Sequence, residues 1–301
     1  MPDIDALTGY ISERRIECDR GCGYSFVREL PPNIRDTYFG MSCLKMLREK
    51  SPDDEIVLFL SSYDRFDMYN AYYAMKCLKN AGAEAEIHDG TFWWCYHGEE
   101  HVRPCAIPAT PLINYFKHDL YGMYGSSIFS SPLGAVLKRI ELGVADLNRG
   151  LANSIYALLN INSRKDIMIT YIALEMLREI GKSGYSVTLP SSEVQQIKAF
   201  LRLCTTRKGY VANPTTNLET LESTYAGHRV AQYLGTHDPY GIRTFIDTLQ
   251  NQNGGFRRTQ FGGISTLESC YLAISTITER ISSPVLKARS NSMTRDLERH
   301  L

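Results

Sequence analysis

The sequence predicts an all-α protein built from repeated pairs of helices, and three observations support this prediction. First, the hexapeptide TLESTY at 220–225 returns as TLESCY at 266–271, with five of the six letters identical. Second, a Gly followed by an aromatic residue precedes both hexapeptides at the same distance, at Tyr210 and at Phe256. Third, five predicted helices open with a small residue followed by Tyr, at 37–38, 71–72, 170–171, 224–225 and 270–271.

A diverged copy of the unit lies near the N-terminus. Cys22-Gly23-Tyr24 takes the place of the Gly-aromatic turn, and Asp36-Thr37-Tyr38 takes the place of Ser223-Thr224-Tyr225. The helices that carry the Tyr motif are apolar on most sides, which is typical of buried helices. Because they alternate with more amphipathic helices, we predict inner and outer shells of antiparallel helix pairs. The repeats alone do not distinguish an open solenoid from a closed ring.

Residues 84–111 interrupt this pattern. They combine an extended-looking stretch, the aromatic run Phe92-Trp93-Trp94 and prolines at 104, 108 and 111. We interpret them as an irregular insertion or long loop. The prediction is therefore one domain over 1–282 with this insertion, followed by a polar C-terminal tail over 283–301.

Composition excludes several classes of protein. The 301 residues are 44% hydrophobic and have a formal net charge of zero, which argues against a nucleic-acid partner. No stretch reaches the roughly 18–20 apolar residues of a transmembrane helix, and the acidic start does not resemble a secretory signal. Eight cysteines in such a chain indicate reduced thiols, so we expect a cytoplasmic protein.

The motif Gln250-x-x-x-Gly254-Gly255-Phe256, followed by Thr-Leu-Glu-Ser-(Thr/Cys)-Tyr, resembles the repeat of the prenyltransferase β-subunit and squalene/terpene cyclase superfamily. The resemblance is good over 195–280, fair over 10–47, and weak or absent over 84–160. It implies an α/α toroid, a barrel of inner and outer helix pairs around an apolar cavity. It implies less about the reaction, because members range from protein prenylation to polyene cyclisation.

A basic rim is expected where outer helices lead into inner ones, since cations beside helix N-termini form anion sites. The resemblance implies that Arg257 or Arg258 and Tyr271 contact the diphosphate of a prenyl donor. Tyr225 holds the position of Tyr271 in the preceding copy, and His228 could line the cavity. The candidate substrate-binding residues are Arg207, Lys208, Arg257, Arg258, Tyr225, Tyr271 and His228. The alternatives are a solvated rim and a buried core histidine.

Two residue sets are candidate zinc ligands. Glu268-Ser-Cys270-Tyr271 is similar to the Asp-x-Cys-Tyr of the protein prenyltransferases, which implies catalytic zinc, but Glu replaces Asp and no later His follows. The repeat pattern explains these letters equally well. The second set is Cys95-x-His97-x3-His101-x3-Cys105, whose ligand types and spacing suit a structural zinc. Gly98 and the flanking Trp and Pro residues argue against a regular helix there.

Asp36 is a candidate catalytic acid. Class II cyclases of the same superfamily protonate a polyene with Asp-x-Asp-Asp-Thr, but the matching stretch Asn33–Thr37 keeps only the final Asp-Thr. Arg35 stands where the proton donor would be, which counts against such a cyclase. Asp36 remains either an acid of a different arrangement or a helix cap.

Our leading hypothesis is a prenyltransferase-like enzyme that holds an isoprenoid in the ring and anchors its diphosphate at the rim. The expected partners are an isoprenoid diphosphate or polyprenyl substrate, and a helical partner subunit or second copy. Zinc is the expected cofactor. The alternatives are a small class II-type terpene cyclase with Asp36 as a non-standard acid, and a non-catalytic scaffold that binds a lipid or a protein.

Overall fold

The structure is a computed structural model that describes residues 2–88, 90–106, 132–143, 151, 155–156, 166–182, 189–236 and 238–278. These residues form ten helices: α1 (Ile4–Glu13), α2 (Ile34–Leu47), α3 (Asp53–Ser61), α4 (Met68–Asn80), α5 (Pro132–Glu141), α6 (Ile167–Lys182), α7 (Ser191–Cys204), α8 (Leu221–Leu234), α9 (Ile242–Thr248) and α10 (Leu267–Thr278). They also form six strands: β1 (Arg15–Cys18), β2 (Gly21–Tyr24), β3 (Phe66–Asp67), β4 (Glu84–His88), β5 (Thr91–Tyr96) and β6 (Glu99–Ala106). The predicted tail over 283–301 lies outside the described residues.

The prediction of an all-α toroid is wrong, because the described residues include two β-sheets. β1 and β2 form an antiparallel hairpin. The second sheet has the strand order β3-β6-β5-β4, in which β3 runs parallel to β6 and the other pairs are antiparallel. This sheet packs against α4. The protein is therefore mixed α/β.

The predicted irregular insertion is regular up to Ala106, and its last five residues lie outside the described part. Phe92 and Trp94 are fully buried and share one face of β5, as the two-residue period of a strand requires. His97 and Gly98 take φ values of +49° and +83° in the turn between β5 and β6. These are the backbone conformations that a two-residue hairpin turn needs.

Pro104 fits within β6 for a geometric reason. The neighbouring Cys105 N–H donates to the Gly90 carbonyl (2.6 Å), so the nitrogen of Pro104 faces the opposite edge of the strand. There β3 pairs only with Cys105 and Ala106. Proline therefore costs no hydrogen bond of the ladder at this position.

Six of the ten described helices follow one another in a closed ring, in the order α2, α4, α5, α6, α8 and α10, with α10 packed against α2. α2 and α10 run parallel, because their early residues contact each other and so do their late residues. Arg35 near the start of α2 pairs with Glu268 near the start of α10, whereas Ser275 Oγ near the end of α10 donates to Met46 Sδ. All five small-residue–Tyr pairs lie in ring helices, which confirms the prediction that these helices are buried.

The repeat motif has a structural explanation in hydrogen bonding between a loop and the following ring helix. Thr37 Oγ1 accepts from the Tyr24 N–H (2.9 Å), and Thr224 Oγ1 accepts from the Tyr210 N–H (3.4 Å). The third copy places Cys270 Sγ against an equivalent backbone N–H, that of Phe256 (3.5 Å). The small residue before each Tyr thus faces outward and anchors the aromatic turn.

The same turns require a glycine on the helix. A Cβ at Gly40 would lie 2.7 Å from the ring of Tyr24, and one at Gly227 would lie 2.2 Å from the ring of Tyr210. The glycines therefore let an aromatic ring pack directly on the helix backbone.

The N-terminal helix docks on the last repeat. The Gln250 side chain accepts from the Asp3 N–H (2.7 Å) and donates to the Asp3 carbonyl (2.8 Å). The buried Tyr10 hydroxyl donates to the Ser265 carbonyl (2.9 Å). The two ends of the described chain are thus joined by specific hydrogen bonds. In the described residues, no helix combines the length and apolar character needed to cross a bilayer.

Candidate functional site

Tyrosines from neighbouring ring helices meet inside the ring. Tyr38 lies against Tyr73 and Tyr271, with ring centroids 5.6 and 5.7 Å apart. On the other side, the hydroxyls of Tyr171 and Tyr225 are 3.4 Å apart. The resemblance implies an apolar lining, whereas this lining combines aromatic faces with hydroxyl groups. Such faces attract cations, and such hydroxyls bind polar groups.

Lys138 of α5 is buried against three tyrosine rings of α4. Its Nζ is 4.4 Å from the ring centroid of Tyr69, 5.4 Å from that of Tyr72 and 5.2 Å from that of Tyr73, and the residue is 1% exposed. Burial, and to a smaller extent the positive charge of Arg35, lower the pKa of this amine to about 7, although acidic neighbours oppose the change. Arg35 lies on α2, so the charge of Lys138 on α5 interacts with a charge on a different ring helix.

Arg35 and Glu268 form an ion pair that joins the first and the last ring helix. Arg35 is the residue that stands at the proton-donor position of the cyclase motif. Its side chain lies 5.7 Å from the Phe39 ring centroid, which places the guanidinium at the edge of the aromatic lining. A cation at this position attracts anions rather than donating a proton to an alkene.

Three carboxylates from α5 and α6 converge in the ring. One oxygen each of Glu141, Glu175 and Glu179 lie within 4.8 Å of one another, a spacing at which a single metal ion can contact all three. Lys76 pairs with Glu141 (2.5 Å), and Arg178 pairs with both other carboxylates. The group therefore has cationic neighbours as well as a geometry that could hold a metal ion.

Glu175 is the most deeply buried member of this triad, at 4% exposure. Burial raises the pKa of its carboxyl, while the charges of Arg178 and Arg229 oppose the change. Its Oε1 is in contact with Arg178, but Oε2 is buried and receives no hydrogen bond within the described residues. A buried carboxylate oxygen without a donor is uncommon in proteins, and bound ions are one of its explanations.

The predicted rim residues are in several separate places. Arg207 and Lys208 are exposed in the loop after α7. Arg257 donates to the Thr248 carbonyl (3.0 Å), and Arg258 pairs with Glu222 (2.9 Å). Through these contacts, Arg257 and Arg258 hold loops in place. Their binding of a diphosphate stays a prediction. The tyrosines Tyr225 and Tyr271 both lie in the aromatic lining.

The structure does not bring Glu268 and Cys270 together. Glu268 points to Arg35, whereas Cys270 is fully buried against the Phe256 backbone on the outward side of α10. Burial raises the pKa of the Cys270 thiol to about 12, so it is protonated at neutral pH. Zinc binds the thiolate, and this environment disfavours that form.

The Cys95–Cys105 set is spread along the hairpin of β5 and β6. Cys95 is opposite Glu100, so Cys105 lies five residues further along β6, about 17 Å away at the rise of a strand. His101 stacks on Trp94 (5.0 Å between ring centroids), and His97 is in the exposed turn beside Asp54. The four side chains therefore do not meet at one point.

Asp36 and His228 both make structural contacts. The Asp36 carboxylate accepts from the Phe26 N–H (3.0 Å) and from the Asn33 side chain (2.7 Å) at the start of α2. The two ring nitrogens of His228 contact Asp238 (2.9 Å) and Gln232 (2.8 Å). Asn33 is the residue that caps α2, and Asp36 instead holds the preceding loop on the first turn of the helix. The contacts of His228 support its core interpretation.

Sequence reasoning missed Lys138 and the three glutamates, although one signal was present. A ring helix presents the same face every fourth residue, so the residue four after each inward Tyr also faces inward. In three helices that residue is charged: Lys76, Glu175 and Arg229 follow Tyr72, Tyr171 and Tyr225.

Comparisons with protein-family models, curated proteins and solved structures find no match for this chain. The function is therefore inferred from the side chains of the ring helices.

Proposed function

We propose that this protein is an enzyme that binds an isoprenoid diphosphate inside the helix ring and transfers its prenyl group. The observation that carries the proposal is the position of Lys138, a buried amine surrounded by three tyrosine rings, close to Arg35. A diphosphate is a compact anion that buried cations bind strongly. The surrounding aromatic faces suit an isoprenoid chain and the positive charge that develops on it.

The chemistry follows from this arrangement. The carbon–oxygen bond of the substrate breaks and its electron pair leaves with the diphosphate, while the tyrosine faces stabilise the allylic cation that remains. Lys138 and Arg35 stabilise the leaving diphosphate by charge. The acceptor then bonds to the cation and gives up a proton to solvent or to the diphosphate.

The proposal assigns no step to Asp36 or to zinc at Cys270. The Asp36 carboxylate is engaged by Phe26 and Asn33, and the Cys270 thiol is protonated and faces away from the tyrosines. An activity that depended on protonation by Asp36 would instead support the cyclase alternative.

The test is binding of farnesyl and geranylgeranyl diphosphate by isothermal titration calorimetry, followed by an assay of diphosphate release with added acceptors. We expect Lys138→Met to weaken binding at least about 10-fold, since a hydrogen bond to a charged group contributes about 1.5–3 kcal/mol. Lys79→Met is the matched control, because Lys79 is an exposed lysine on the outer part of α4.

The comparison ligands are farnesol and inorganic diphosphate, which separate the contribution of the chain from that of the anion. The proposal requires that both parts contribute, so each fragment should bind more weakly than the intact compound. The proposal would be contradicted if neither isoprenoid diphosphate binds, or if Lys138→Met and Lys79→Met bind them equally well.

A further inference from the structure

We propose that Glu141, Glu175 and Glu179 form a binding site for one divalent cation of the magnesium or manganese class. The ligand oxygens of the three side chains lie within 4.8 Å of one another. The site itself depends only on these side chains. Its role as the counter-ion of a diphosphate rests on the proposed function.

The pattern of contacts leaves specific oxygens for a further ligand. Glu141 receives the Tyr72 hydroxyl (2.9 Å) and pairs with Lys76 through the same atom, Oε2. Glu175 contacts Arg178 only through Oε1. Thus Oε1 of Glu141 and Oε2 of Glu175 are not used by these contacts, and Oε2 of Glu175 is buried without a hydrogen-bond donor in the described residues.

The ligand type indicates the class of metal. Carboxylate oxygens suit magnesium, calcium and manganese, whereas zinc sites usually include Cys or His. Within the described residues, this is the group of three that could hold an ion, and it contains neither Cys nor His. Magnesium commonly combines one or two carboxylates with oxygens of a substrate phosphate, so the site would also suit a diphosphate.

The neighbouring cations do not argue against this assignment. Lys76, Arg178 and Lys182 have long side chains, and each contacts only one oxygen of any given carboxylate. These three cations balance the charge of the three carboxylates. A charge-balanced site binds a divalent ion more weakly than a bare triad, which suits an ion that binds and leaves together with its substrate.

The test is a titration of the full-length, metal-free protein with manganese chloride alone, in which free Mn²⁺ is measured by electron paramagnetic resonance. We expect one Mn²⁺ per chain, displaced by excess Mg²⁺. Glu175→Gln, which keeps the size of the side chain, should weaken binding at least 10-fold, and Glu141→Gln should do the same. The matched control is Glu222→Gln, a part-buried ring glutamate outside the triad.

Circular dichroism of each variant separates loss of the site from loss of the fold, and Glu141→Gln gives an independent test if Glu175→Gln does not fold. Mn²⁺ binding that is lost in both triad variants and kept in Glu222→Gln supports the site. No Mn²⁺ binding at millimolar concentration, or unchanged binding in a folded Glu175→Gln protein, overturns it. Zinc binding that depends on Cys270 instead of Glu175 also overturns it. A protein that binds Mn²⁺ but no isoprenoid diphosphate keeps the metal site and refutes only the proposed function.

Discussion

Replacing Gly254 by Ala is expected to destabilise the protein by about 4 kcal/mol. Gly254 has φ +83°, which costs a residue with a Cβ about 1–2 kcal/mol. An added Cβ would lie 2.0 Å from the Ala6 carbonyl oxygen, so α1 would have to move. Overpacking of this kind costs about 1–3 kcal/mol more. The shift would also strain the hydrogen bonds between Asp3 and Gln250 that hold α1 on the last repeat.

The measurement is chemical denaturation followed by circular dichroism. Gly98→Ala is the control, because Gly98 has the same φ of +83° but an added Cβ there meets nothing within 4 Å. We expect Gly98→Ala to cost only about 1–2 kcal/mol, the strain contribution alone. Equal losses for both variants would mean that docking of α1 contributes nothing to stability.

Replacing Lys138 by Met is expected to stabilise the protein at neutral pH. Burial is the main reason why the pKa of Lys138 falls from 10.5 to about 7, so the charged amine is less favourable in the folded protein than in the unfolded chain. In the unfolded chain, Lys138 stays protonated up to about pH 10.5. The loss of stability caused by burying the charged amine is therefore complete below about pH 7 and absent above about pH 10.5. Stability of the unmodified protein should therefore rise between these values. Each pKa unit corresponds to 1.36 kcal/mol. The attraction of the tyrosine ring faces for the ammonium offsets part of this penalty. We therefore expect Lys138→Met to raise the free energy of unfolding at pH 7 by about 3 kcal/mol.

The experiment compares free energies of unfolding for the unmodified protein and Lys138→Met at pH 7 and pH 10. The stability advantage of the variant should be present at pH 7 and small at pH 10. Lys79→Met, at an exposed position, should show no such pH-dependent difference. If Lys138→Met is less stable at pH 7 than the unmodified protein, the charged amine of Lys138 stabilises the fold, and the prediction is wrong.

The helices that carry the repeat could be predicted from the sequence because local signals fix them. The Thr-Leu-Glu-Ser pattern provides a capping residue and an apolar face, and Thr220 caps α8 as its type suggests. The second sheet could not be predicted in this way. Its strands are short, contain Pro104, and are stabilised by packing of Phe92 and Trp94 against the rest of the molecule. Such tertiary contacts are not visible in local propensities.

The candidate site was only partly predictable for a related reason. Tyr225 and Tyr271 belong to the repeat, and both lie in the aromatic lining. Lys138 and Glu141 lie on α5, where the repeat pattern is weak, so no motif marked them. Glu141 is close to Glu175 because α5 packs against α6, a contact that the repeats alone did not establish. Spacing also suggested a cluster of Cys95 and Cys105, but pairing of β5 and β6 separates them.

The central claim is that an isoprenoid diphosphate binds inside the ring, and photoaffinity labelling tests it most directly. A farnesyl diphosphate analogue with a diazirine on the chain would be bound, irradiated and mapped by peptide mass spectrometry, with unlabelled farnesyl diphosphate as competitor. The claim predicts competed labelling of ring peptides that contain Tyr72, Tyr73, Tyr225 or Tyr271. Labelling confined to the outer helices α1, α3 and α7, or labelling that the competitor does not reduce, would contradict it.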